Sequence, residues 1–299
     1  MAIERCSSVS SSHDESLVAT ASVVRGWVLI EQPGAWGAEA LTQSRVPAAA
    51  AEELRARAAL HHLRVLLLRR PDGRDSPTRN VFLAWSGRRS QWIEHRVVSE
   101  VEELLEFDLE PLGEGRRVGF GELRGRPLYL VCTNGRHDPC CAQLGRPVAR
   151  ALLRDGDDSV WECSHVGGDR FAGNLVCLPH GLYFGRLGPE DARRVVERYE
   201  RGGVDLDHYR GRAGEPFVVQ AAEYFLRREE GIVGVDDLVS NGHRHSSPHV
   251  VDVRFNGRHG RRFEVRVGVG ASTPSRPLTC GAVTEETPPS YALLDLRST

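Results

Sequence analysis

Hydrophobic residues along this chain come in short runs punctuated by turn formers. Arg25–Gln32 (RGWVLIEQ) has a continuous apolar centre and stops at Pro33-Gly34, which predicts a strand. Ala48–His62 is rich in Ala and Arg and predicts a helix. Leu63–Arg69 (LRVLLLR) and Asn80–Ser86 (NVFLAWS) predict two further strands across a Pro/Gly/Asp turn, and Val98–Leu105 reads as helical. Glu110–Arg126 is polar and Gly-rich, a candidate boundary, whereas the first twenty residues are Ser-rich and read as irregular, with Cys6 isolated among them.

The pattern then repeats in kind. Strand Pro127–Val131 runs into Cys132, a loop follows, and a helix is expected over Cys141–Arg154, closed by Asp155-Gly156. Strand Ser159–Cys163 (SVWEC) comes next, then a hairpin of Asn174–Leu178 and Leu182–Arg186, then a helix over Pro189–Arg201 with Pro in its first turn and Gly202-Gly203 after its end. This β-α-β-β-β-α order is that of a thioredoxin-like domain, and the first unit runs close to the same order. An internal duplication whose first copy lost its ligands would set Gln32-Pro33-Gly34 where Cys132-Thr133-Asn134 sits in the second. Beyond Gly203, a helix is expected over Pro216–Arg228, a polar His-bearing loop over Asn241–His249, strands at Val250–Phe255 and Arg262–Val267, and one more strand near Tyr291–Leu296. The expected fold class is α/β. Its expected division is an N-terminal unit over 1–120, a thioredoxin-like ferredoxin domain over 121–203 and a small helix-plus-hairpin extension over 204–299.

Composition narrows the chemistry. All 39 basic residues are arginine, so a Schiff-base lysine, a phosphate-loop lysine and a Ser–Lys pair are excluded. A net charge of −2 provides no global attraction for nucleic acid or an anionic membrane. The apolar runs are strand-sized, and the opening residues carry no apolar core of a signal peptide, so a cytoplasmic location is expected. Seven cysteines, an odd number, in a reducing compartment read as metal or redox groups rather than as a disulfide framework.

Five of those cysteines lie between residues 128 and 187, together with His137, His165 and His180. Thiolate and imidazole are the donors that soft metals prefer. The segments CTNGRHDPCCAQLGRPVARAL and WECSHVGGDRFAGNLVCLPHGLYFGRL resemble the sucrase/ferredoxin-like family, whose members contain a thioredoxin-like ferredoxin domain. The resemblance covers 127–201 most strongly and implies a [2Fe-2S] cluster. It implies an early ligand pair, Cys132 and Cys141, and a later pair at His165 and position 169. Some members carry H-x-G-G-H there; here position 169 is Asp169. A carboxylate oxygen is a hard donor for a sulfide-bridged cluster. Cys163, two residues before His165 and on the same side of an extended strand, is therefore the favoured fourth ligand, with Asp169 the alternative. Gly167 and Gly168 would let the backbone approach the cluster, and Arg170 and Arg136 would lie near its charge. Cys177, Cys6 and Cys280 read as structural, and of Cys140 and Cys141 one is expected to ligate while the other packs.

The function expected is that of a one-electron carrier with an unidentified redox partner protein, no nucleic-acid or membrane partner, and a possible homodimer. No catalytic residues are assigned: no Ser/His/Asp arrangement, HExxH or dinucleotide fingerprint appears. The competing classes are a thiol redox protein, against which stands the lack of C-x-x-C, and a zinc-stabilised binding module.

Overall fold

The computed structural model describes residues 5–154 and 157–298; the expected helix stop at Asp155-Gly156 lies outside them. In chain order the elements are α1 (Cys6–Ser12), β1 (Gly26–Glu31), α2 (Ala48–Leu60), β2 (Leu63–Arg69), β3 (Arg79–Trp85), β4 (Trp92–Val98), α3 (Glu110–Gly113), β5 (Glu122–Leu123), β6 (Leu128–Cys132), α4 (Pro139–Leu152), β7 (Val160–Cys163), β8 (Leu175–Leu178), β9 (Leu182–Phe184), α5 (Pro189–Glu200), β10 (Tyr209–Arg212), α6 (Phe217–Glu230), β11 (Leu238–Ser247), β12 (Val250–Gly257), β13 (Arg262–Ala271) and β14 (Pro289–Ser298). Short 3₁₀ turns lie at Val101–Glu106 and Asp169–Phe171.

Ten strands form one sheet in the order β10-β9-β8-β6-β7-β2-β1-β3-β4-β5. Each half contains one parallel pair, β1 with β2 and β6 with β7, produced by a crossover through α2 and through α4. The third strand of each half then adds antiparallel to the first, β3 on β1 and β8 on β6. The halves meet where β2 pairs antiparallel with β7, Leu68 opposite Cys163 and Arg69 opposite Glu162. That seam is short and is reinforced by side chains, with Arg69 Nε donating to Glu162 at 2.7 Å.

The sheet is strongly curled. β1 and β9 lie five strand spacings apart, about 24 Å in a flat sheet, yet the Trp27 and Tyr183 rings approach to 6.4 Å between centroids. A shared core fills the inside of the curl with Trp27, Leu66, Phe82, Leu130, Trp161 and Tyr183 from both halves. The other face is covered separately: α2 buries Ala51 and Leu54 over the first half, and α4 and α5 bury Val148 and Val195 over the second. Strands covered on both sides must be apolar throughout, which is why β1 and β6 are buried at every position.

Several expectations change here. The N-terminal stretch holds a helix, α1, whose Cys6 is buried rather than isolated. WIEHRVV forms strand β4, and the helix expected at 98–105 shrinks to a 3₁₀ turn. The expected loop 241–249 is mostly strand β11, polar because its side chains are exposed. The extension is a four-stranded meander, β11-β12-β13-β14, packed on α6 through Val253, Phe255, Val265 and Leu226. β10, placed in that extension by the expected division, completes the large sheet by pairing with β9. The register between halves also differs by one residue from that expected. Gln32 N donates to Leu68 O as Thr133 N donates to Cys163 O, so Glu31 occupies the place of Cys132.

A buried ionic network ties α6 to the large sheet. Glu223 accepts from Arg227 Nη2 at 2.9 Å and from Arg88, whose Nε also reaches Glu215 at 2.5 Å. Burial pushes the Glu223 carboxyl up, but Arg88, Arg227 and Arg212 outweigh it and hold the pKa at about 2. An unfolded glutamate titrates near pH 4.3, so this stabilisation is complete above about pH 5 and is lost as the pH falls toward 2. Glu223→Gln should cost about 3 kcal/mol at neutral pH. Urea unfolding across pH 2 to 7 should show variant and wild type converging in acid; parallel curves would show that the carboxylate does not carry the stability.

Candidate metal centre

Parallel pairing brings the C-terminal ends of β6 and β7 to one edge of the sheet, Cys132 directly opposite Cys163. The crossover helix α4 must start at that same edge. Asp138 caps it, accepting from Cys140 N at 2.8 Å, and Pro139 occupies the first turn. Cys141 thereby faces Cys132, and the loop after β7 returns His165 and Asp169 to the same point.

The sulfurs of Cys132 and Cys141 and a ring nitrogen of His165 lie within 4.8 Å of one another. Cys132 Sγ is 4.0 Å from His165 Nδ1, Asp169 Oδ1 is 2.9 Å from that nitrogen, and the Cys141 thiol donates to Asp169 Oδ1 at 3.1 Å. His137 forms the outer wall, its ring stacked on His165 with centroids 3.7 Å apart and Nε2 3.8 Å from Asp169 Oδ2. Cys132, Cys141 and Asp169 are buried; the two histidines bring the centre to the surface.

The electrostatics favour a thiolate. The Cys141 S–H and the His165 imidazole hold the Cys132 thiol well below the usual range against the opposing effect of burial. Cys141 is the partner that keeps its proton, pushed up by Cys132, by burial and by Asp169. Burial alone would lower His165, but Asp169 and Cys132 raise it to about 9. Burial would raise Asp169, but His165, Cys141 and His137 bring it below the ordinary carboxylate range. Cys163 is raised well above the usual thiol range, first by burial and then by the Cys132 charge.

Of the residues expected at the centre, the structure groups Cys132, Cys141 and His165, while Asp169 belongs to an overlapping group with His137 and His165 and touches Cys141. Cys163 is fully buried beside them in the shared core, with its sulfur outside the group that lies within 4.8 Å. Arg170 turns to Glu15, with Nε–Oε1 at 2.8 Å. Cys177 packs in the core as expected, whereas His180 is half-buried with Nδ1 2.5 Å from the Tyr199 hydroxyl. Arg136 lines a neighbouring cleft of about 410 Å³ together with Trp36, Arg69 and Arg146.

Sequence reasoning named His137 only among the soft donors of the stretch and missed Arg210. The Arg210 guanidinium is buried and donates to Gly167 O at 3.0 Å, Asn174 Oδ1 at 2.8 Å, Thr20 O at 2.6 Å and Thr20 Oγ1 at 3.0 Å. It clamps the loop carrying His165 and Asp169 onto the N-terminal segment. Nothing in HYRGR marks this role, because the contacts span 190 positions for Thr20 and 36 for Asn174.

The fold and these side chains define a mixed α/β protein with Cys/His/Asp groups suited to a metal ion. The sucrase/ferredoxin-like family model matches residues 17–211, and the chain belongs to that family. No curated protein and no solved structure matches it. Among the described residues, no helix is long and apolar enough to cross a membrane.

Gly168 has φ +78°, and a Cβ there would lie 2.2 Å from Arg210 Nη2. Gly202 has φ +77° with nothing within 4 Å of the same position. Gly202→Ala should therefore cost about 1 kcal/mol from backbone strain alone, and Gly168→Ala about 2 kcal/mol more. Chemical denaturation of the two variants checks this; equal costs would mean that Arg210 does not fix the loop.

Proposed function

We propose that this protein is a one-electron carrier whose [2Fe-2S] cluster is held by Cys132, Cys141 and His165, with Asp169 as the fourth donor. The observation that carries the reading is the convergence of two thiols and an imidazole at the C-terminal edge of the β6–β7 pair. The strand order β9-β8-β6-β7, in a half that runs β-α-β-β-β-α, supports a thioredoxin-like domain. The same order in β4-β3-β1-β2 supports a duplication, in which Glu31 stands where the second copy has Cys132.

The cluster, when bound, would supply a centre that takes and returns one electron. The chain's residues do the rest. Cys132 is predisposed to thiolate by its neighbours, and Cys141, protonated beside that thiolate, would release its proton on binding in the first turn of α4, where the helix dipole favours a negative sulfur. His165 gives up its proton on binding and contributes an imidazole donor, and Asp169, 2.9 Å from its Nδ1, holds the ring in place beforehand. His137 and His165, stacked and partly exposed, are the route by which a partner protein would approach. Asp169 is preferred to Cys163 on distance: its carboxylate touches both Cys141 and His165.

That carboxylate also favours a second reading. Two thiolates, an imidazole and a carboxylate are an ordinary donor set for zinc, in which case the site stabilises a binding module.

Protein purified without oxygen should be red-brown, contain iron and sulfide, and give a paramagnetic resonance signal only after reduction. Asp169→Ala should alter or abolish the visible bands, and Cys163→Ser should leave them unchanged. The opposite pattern would make Cys163 the fourth ligand. A colourless protein that holds zinc after attempted reconstitution would sink the electron-carrier reading.

A further inference from the structure

A second group of sulfurs lies on the other side of the first turn of α4. Cys6, Cys140 and Cys280 come from three remote parts of the chain, and their sulfurs form a nearly regular triangle. Cys6–Cys140 is 3.7 Å, Cys140–Cys280 is 3.5 Å and Cys280–Cys6 is 3.5 Å. The buried Asp138 carboxylate completes the group, with Oδ2 3.6 Å from Cys6 Sγ and all four donor atoms within 4.8 Å of one another. Cys6 and Cys280 fall outside the stretch that the family model matches.

We infer that Cys6, Cys140, Cys280 and Asp138 form a structural zinc site that fastens both terminal segments to α4. Three thiolates on tetrahedral zinc, with Zn–S near 2.3 Å, lie about 3.8 Å apart, close to the spacing found here. Simple packing of sulfur as a small apolar group explains buried thiols but not a buried carboxylate among them. A disulfide would join two of the sulfurs and leave the third, with the carboxylate, unserved.

The surroundings suit an anionic metal–thiolate centre. Ser7 Oγ donates to Cys140 Sγ at 3.2 Å and the Cys6 backbone N–H to Cys280 Sγ at 3.4 Å. Cys140 N and Cys280 N donate to the two oxygens of Asp138 at 2.8 and 2.7 Å, which fixes the carboxylate in place. Binding would release the three thiol protons to solvent while the sulfurs take up the ion. The two terminal segments are also joined by charge to each other and to the loop after β7, Glu15 accepting from Arg170 at 2.8 Å and from Arg276 at 3.1 Å. The site is thus preassembled by contacts that do not involve the metal.

The test uses the full-length protein supplied with zinc alone. Wild type should retain one equivalent more zinc per chain, after desalting, than Cys6→Ser or Cys280→Ala, and the same variants, reconstituted separately with iron and sulfide, should keep the absorption of the Cys132–Cys141–His165 centre. Equal zinc in wild type and folded variants would overturn the assignment. Should either variant fail to fold, X-ray absorption at the zinc edge of wild type decides the matter. Three sulfurs and one oxygen around zinc support the site. Two sulfurs with nitrogen and oxygen would put the zinc at the other centre, and no bound zinc would leave the triangle without its ion; either result overturns the proposal.

Discussion

The parallel pairing of β6 with β7 is the constraint on which the centre depends. A parallel pair needs a crossover, and the crossover helix must begin where the first strand ends. Three chain termini of local structure therefore meet at one edge: the end of β6, the start of α4 and the end of β7. Each delivers one donor, Cys132, Cys141 and His165, without any residue in a strained reach. The first half has the same pairing through β1 and β2, and its edge carries Glu31 and Leu68 where the second has Cys132 and Cys163. Topology alone makes the edge; side-chain identity decides whether it can hold a metal.

Much of this was legible in the chain. Continuous apolar runs bounded by Pro, Gly and Asp located β1, β2, β3, β6 and β7 closely, because strands covered on both faces leave no alternation to misread. The missed strands β4, β10 and β11 share a physical cause. β4 and β11 are polar strands with exposed residues, and β10 is YRGR, whose two arginines are buried by partners distant in sequence. Hydrophobic pattern carries no information about a strand whose side chains are satisfied by hydrogen bonds. At the centre, Cys132, Cys141, His165 and Asp169 followed from the resemblance to the family, whereas Arg210 could not be seen in the sequence. The triangle of Cys6, Cys140 and Cys280 spans nearly the whole chain, and its three residues looked unrelated until α1 and the segment before β14 were folded against α4.

The lysine-free composition also acquires a structural meaning. Three fully buried arginines, Arg210, Arg212 and Arg227, sit where one side chain must serve several acceptors at once. Arg210 reaches three residues with a planar fork, and Arg227 bonds Glu223 while also donating to the carbonyls of Ile232, Gly234 and Val235. An ammonium on a flexible stem offers three donors from one point and could not span these positions. The fold uses the guanidinium's reach to hold loops that carry too little apolar surface to fix themselves.

Cys140 and Cys141 are consecutive residues of one helical turn and face two different groups of donors. Their side chains diverge by about 100° around the helix axis, so a single turn can serve two centres without bringing all five sulfurs into one. The arrangement has a mechanical consequence. Asp138 caps α4 and takes the Cys280 amide with its other oxygen, so the C-terminal segment helps to fix the helix start. The position of Cys141, and with it the spacing to Cys132, is then set from the far side of the helix as well as from β6. Contacts outside the family-matched stretch thus bear on a centre that lies wholly within it.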